Sequence, residues 1–144
     1  MANSLRSRYS PYSTELVDIN DVTEDGIAQE LEHIDPVVNK LKAAGVNGVF
    51  FPHANFGPEE ITARIAAGLN VPVLIWGNRD PYPDYPGGKD RDTQCGTLAS
   101  TKGAAAVWRA VFLYLNTDVE DAPLKRGFED FCAVAKRGAP VPRN

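Results

Sequence analysis

The sequence is poor in the groups that most often announce a function. Among its 144 residues are only two histidines, His33 and His53, and two cysteines, Cys95 and Cys132. That inventory is too thin for a metal cage built from His and Cys. The two cysteines cannot be paired by inspection, and so few in an acidic chain point to a reducing cytoplasm. No basic cluster exceeds Lys125-Arg126 or Lys136-Arg137, and the formal net charge is −4, so a nucleic-acid partner is excluded on electrostatic grounds. The longest apolar-looking stretch, residues 103–115, is broken by Arg109. It falls far short of the roughly twenty residues that a membrane span requires. The start, MANSLRSRYSPYS, has arginines but no apolar core behind them, so it is not a secretory signal. Glycine-rich phosphate loops are missing too, because GVNG and PGGKD lack the required frame.

What is present describes one globular domain. Apolar residues make up 43% and charged residues 24%, ordinary values for a chain that builds a core. Four runs read as strands: ELVDI (15–19), GVFF (48–51), PVLIW (72–76) and VFLYL (111–115). The middle two are nearly continuous in apolar character, as in strands covered on both faces. Between them the spacing predicts helices. Thr23 to Ala44 carries Ile27, Leu31, Ile34, Val38 and Leu41 on one stripe, with Pro36 dividing or kinking it and Gly45 closing it. A second helix begins with Pro58 in its first turn and runs through Ile61, Ile65 and Leu69. A third starts near Asp92 or Thr93, either able to cap it, and continues to about Trp108. The last spans about Pro123 to Lys136, with Leu124, Phe128, Phe131 and Val134 on one side.

Four strand–helix units in this order predict an α/β fold, a three-layer, doubly wound, mostly parallel sheet. Ligands meet such sheets at the loops after the strands' carboxyl ends. Those loops are PHANFG (52–57), GNRDPYPDYPGGKDRD (77–92) and NTDVED (116–121). His53 and Asn55 in the first make either a polar pocket at a helix amino end or a plain capped turn. In the second, Asp80, Asp84, Asp90 and Asp92 alternate with Arg79, Lys89 and Arg91, a pattern of internal ion pairs rather than a calcium loop. Trp76, Tyr82 and Tyr85 offer an apolar wall for a sugar face or a partner, or simply pack as a lid. Cys95, in the first turn of a helix, would need His53 beside it to act as a nucleophile; otherwise it is a small packing residue. The residues alone supply no catalytic set.

The stretches FFPHANFGPEE, PVLIWGNRD and KDRDTQCGTLASTK, in this order and spacing and followed by RGFEDFCAVAK, resemble the amino-terminal region of L-fucose isomerase-like proteins. That family of L-fucose and L-arabinose isomerases converts aldose to ketose through an ene-diol. It uses a divalent cation, typically manganese, with acidic general bases. The resemblance covers roughly residues 15–137, with residues 1–14 left as an amino-terminal arm and 138–144 as a Pro-rich tail. It implies a flavodoxin- or Rossmann-like domain that helps build a homo-oligomer and lines a sugar site. By position it assigns substrate contact to Trp76, Asn78, Arg79, Asp80, His53 and Asn55. Family members are several times longer, and their metal-binding Glu, Asp and His lie in later domains. The expectation is therefore a truncated or partial chain related to a sugar ketol-isomerase, contributing subunit contacts and sugar-site lining. No catalytic residue, metal ligand or cofactor is expected in this chain itself. The alternative is a non-catalytic α/β module that binds a small polyol or a protein partner. The family's first strand–helix unit also lacks a counterpart before ELVDI, which leaves open how the sheet closes.

Overall fold

The computed structural model describes residues 14–57, 59–80, 91–104 and 110–137. Most of the expected arm, the tail, Pro58, the stretch 81–90 with Tyr82 and Tyr85, and the expected helix end at Trp108 lie outside the described residues. Three strands form one parallel sheet: β1 (Val49–His53), β2 (Val73–Asn78) and β3 (Val111–Thr117), in that spatial order. Val49 pairs with Val73, and Val73 in turn with Val111, so the three strands start level. Helices α1 (Ile34–Ala43), α2 (Glu59–Leu69) and α3 (Thr93–Ala104) alternate with the strands, and α4 (Ala122–Arg137) follows β3. The α/β doubly wound reading holds, with three strands among the described residues where four were expected.

The missing strand is ELVDI. Residues 15–19 take no strand assignment, although Leu16 packs on one side of the sheet and Ile19 on the other. Among the described strands β1 stands at the edge of the sheet, and a proline suits it to that place. Val49 donates its N–H to the Pro72 carbonyl at 2.9 Å, so Val49, Phe51 and His53 aim their backbone groups at β2. Phe50 and Pro52 therefore aim theirs outward, and Pro52 has no N–H to leave unpaired. Proline in that position is a standard protection for an edge strand.

The predicted helix over 23–44 forms only in its second half. Gly26 adopts a left-handed φ of 66°, turns occupy the preceding residues, and a single 3-10 turn covers Leu31–His33. Pro36 then sits in the first turn of α1, where its missing N–H costs nothing. As a result Ile27 and Leu31, expected on the buried stripe, are 56% and 54% exposed. The end of α1 does follow the sequence signal. Gly45 has φ 65°, its N–H reaches the Lys42 carbonyl at 3.0 Å, and the Val46 N–H reaches the Leu41 carbonyl at 3.3 Å. Those two bonds make a Schellman closure.

Strand alternation divides the core in two. On one face Val49, Val73 and Ile75 meet Val37, Val38 and Leu41 of α1 and Ile61, Ile65 and Leu69 of α2. On the other, Leu74 meets Phe128, Phe131 and Cys132 of α4, with Phe50, Phe112 and Tyr114 at the margin. Phe50 stands edge-on to Phe128 at 5.9 Å, and Phe112 edge-on to Phe131 at 5.8 Å, the geometry that aromatic quadrupoles favour. Val134 was expected with them but is 36% exposed, because Cys132 and Ala135 occupy the inward positions of that turn. No described helix is long and apolar enough to cross a membrane.

Candidate functional site at the carboxyl ends of the strands

All three strands end together. His53 closes β1, Asn78 closes β2 and Thr117 closes β3. Side chains from the loops beyond them interlock across the sheet. Asn55 Oδ1 accepts from the Phe56 N–H at 2.8 Å and from the Asp92 N–H at 3.1 Å, joining the β1 loop to the entrance of α3. The backbones are close enough there that a Cβ on Gly96 would come within 2.7 Å of the Asn55 carbonyl oxygen.

Helix α3 is capped twice. Asp92 Oδ1 accepts from the Cys95 N–H at 3.2 Å, the expected cap at the expected residue. Asp80 reaches over from β2 and takes the Thr93 N–H on both carboxylate oxygens, each at 3.1 Å. The Thr93 hydroxyl lies against Asp80 as well and meets Asn78 Oδ1 at 3.1 Å. Thr93 is fully buried, so Asn78 and Asp80 are held by a group that water does not reach. Two carboxylates facing one helix amino end suit its dipole.

Arg79 points the other way. Its guanidinium pairs with Asp118 and, at 2.6 Å, with Asp121. For Arg79 the ion pairing is thus across the sheet, from the β2 loop to the β3 loop, while Asp84, Lys89 and Asp90 of the expected loop pairs lie outside the described residues. The Asp118 N–H also donates to Asp121 Oδ2 at 3.0 Å. That bond, then the Arg79 charge, holds the Asp121 carboxyl below the usual carboxylate range. Arg91 closes the ring by donating to the Arg79 carbonyl at 3.4 Å.

Trp76 lies beneath this ring. It is 3% exposed, its ring stacks on Phe50 at 6.2 Å, and its indole N–H donates to the Thr117 carbonyl and hydroxyl at 3.1 and 3.0 Å. From there it ties β2 to the end of β3 and supports the floor. His53 Nε2 is buried with no hydrogen-bond partner among the described residues, and burial lowers its pKa below 6.5. Its Nε2 therefore makes no bond to the exposed Cys95 thiol. Among the described residues no group of three or more His, Cys, Asp or Glu side chains could hold a metal ion.

Five of the six residues marked in the sequence thus stand at one end of the sheet, with Trp76 directly below. Sequence reading missed Asp118, Asp121 and Thr117 as members. Their one signal was the loop NTDVED, at the right edge but without a stated partner.

With this geometry in view, comparison with protein families is decisive. A family model described as fucose/sulfoquinovose isomerase, N-terminal domain, matches residues 3–138. The chain belongs to that family. No curated protein and no solved structure matches it. The resemblance carried by FFPHANFGPEE, PVLIWGNRD and KDRDTQCGTLASTK is therefore genuine. In this fucose/sulfoquinovose isomerase N-terminal domain, the first two of those stretches supply His53, Asn55, Asn78, Arg79 and Asp80, and the third supplies Asp92 and Thr93.

Proposed function

We propose that this domain serves aldose–ketose isomerisation of L-fucose or a related sugar by lining the sugar site and making subunit contacts, while the metal centre comes from elsewhere. The observation that carries this is the convergence of His53, Asn55, Asn78, Arg79 and Asp80 at the strand ends of a domain whose family is an isomerase's. The cluster presents amide and carboxylate groups, of which Asn78 and Asp80 are fixed by the buried Thr93, the kind of preorganised polar rim that recognises hydroxyl groups. The family's divalent cation finds no matching donor set among the described residues. The chain's residues would bind and orient; proton transfer would belong to the completing partner. A homo-oligomer fits the half-exposed Val111 and Leu113 on the edge strand β3. A reducing cytoplasm fits the two cysteines, neither of which is in a disulfide.

A second reading is a non-catalytic module that binds a small polyol or a protein partner. Titrating the labelled chain with L-fucose, followed by amide spectra, tests the shared claim of sugar binding. Shifts are expected at Asn55 and at Asn78 to Asp80, and no response there would end the sugar-lining role. An aldose–ketose assay with and without manganese should show no turnover by the chain alone. Metal-dependent turnover would mean that the chain carries a complete site.

A further inference from the structure

The family is named for two sugars that differ in charge: fucose is neutral and sulfoquinovose carries a sulfonate. We infer that the strand-end site of this chain accepts a neutral aldose and disfavours a sulfonated one, an inference that rests on the sugar-lining reading above. Two devices normally hold such an anion: a free guanidinium, and the unpaired N–H groups at a helix amino end. Both are already taken by carboxylates.

Arg79 directly follows β2, and its guanidinium is paired with Asp118 and Asp121 together. An incoming sulfonate would have to displace one of them while the other remained beside it. The amino end of α3 is equally closed, since Asp80 takes the Thr93 N–H and Asp92 the Cys95 N–H. The other helices entering this end carry acids in or next to their first turns: Asp35 on α1, Glu59 and Glu60 on α2, and Asp121 just before α4. At the amino end of α3, two carboxylates thus stand where an anion would have to sit. The described site therefore sets two cations, Arg79 and Arg91, against four carboxylates, Asp80, Asp92, Asp118 and Asp121. Hydroxyl groups meet no such penalty, because carboxylate oxygens and amides accept and donate to them directly.

The size of the discrimination follows from Coulomb's law. Two surplus negative charges about 10 Å from a sulfonate, in water, weaken its binding about fourfold at low salt. Salt near 0.5 M should erase most of that difference. The experiment titrates the full chain with L-fucose and with sulfoquinovose, at about 20 mM and about 0.5 M salt, by calorimetry or amide shifts. The expected result is tighter binding of L-fucose at low salt, with the gap closing as salt rises. A double variant, Asp118→Asn with Asp121→Asn, frees Arg79 and should raise sulfoquinovose affinity more than L-fucose affinity. Circular dichroism confirms that the variant is folded. Sulfoquinovose binding as tightly as L-fucose to the unmodified chain would overturn this inference while leaving the sugar-lining role intact. So would a salt-independent gap, or a folded variant with unchanged preference. Binding of neither sugar would overturn the sugar-lining role itself, and this inference with it.

Discussion

Gly77 is the narrowest point between the sheet and the site, and replacing it with alanine should damage both. The residue lies in the buried central strand, with α3 passing directly over it. A Cβ there would come within 2.5 Å of Thr97 Oγ1 and 3.2 Å of Leu115 Cδ2. The first distance is shorter than real Cβ contacts allow, and Thr97 cannot swing away freely. It is fully buried and its hydroxyl donates to the Thr93 carbonyl at 2.6 Å. Overpacking of this kind costs about 1–3 kcal/mol. Alanine returns about 0.5–1 kcal/mol relative to glycine in a strand interior. The net loss should be about 1–2 kcal/mol, or roughly 3–6 °C in Tm for a domain of this size. The strain has a defined address, which makes it separable. Thr97→Ala removes the offending oxygen and leaves only its Cβ at 3.4 Å, an ordinary contact. In a double-mutant cycle followed by urea denaturation, Gly77→Ala should be markedly less harmful on the Thr97→Ala background, with a coupling of about 1 kcal/mol or more. Because Thr93 and Thr97 share one helix, the single Gly77→Ala variant should also shift the amide signals of Thr93. A Gly77→Ala protein as stable as the original, or one that Thr97→Ala fails to relieve, would refute the close approach of α3 to β2.

Two further tests concern titratable side chains. His53 is held neutral by burial, with a pKa below its ordinary 6.5. Between that lowered value and 6.5 the unfolded chain binds more protons than the folded one, so stability should fall as the pH drops through this window. His53→Gln should flatten that part of a stability-versus-pH curve; an unchanged slope would show that another group is responsible. The two cysteines should separate cleanly on alkylation. Cys95 is exposed, whereas Cys132 is buried and burial raises its thiol pKa, so one fast modification and one that waits for unfolding are expected in mass spectra near pH 8.

The layered α/β architecture was legible in the sequence because its signals are local and repetitive. Apolar runs at 48–51, 72–76 and 111–115 correspond to β1, β2 and β3, and the caps at Gly45 and Asp92 need only a few neighbouring residues to act. The edge at which a site should lie followed from the strand order alone, so His53, Asn55, Asn78, Arg79 and Asp80 could be marked from sequence. Three matters were settled only by packing. ELVDI has good strand composition but takes no strand assignment, since pairing depends on what lies alongside and Pro52 offers one N–H fewer on that edge. The apolar stripe through Ile27 and Leu31 has helical spacing, yet Gly26 and Pro36 start the helix later and leave both side chains in water. The partners of Arg79 were hidden as well. Asp118 and Asp121 lie some forty residues away in sequence and meet it only because β2 and β3 run parallel and end level. Sequence determined which residues stand at the rim; the tertiary structure decided which charges they spend on one another and which remain for a ligand.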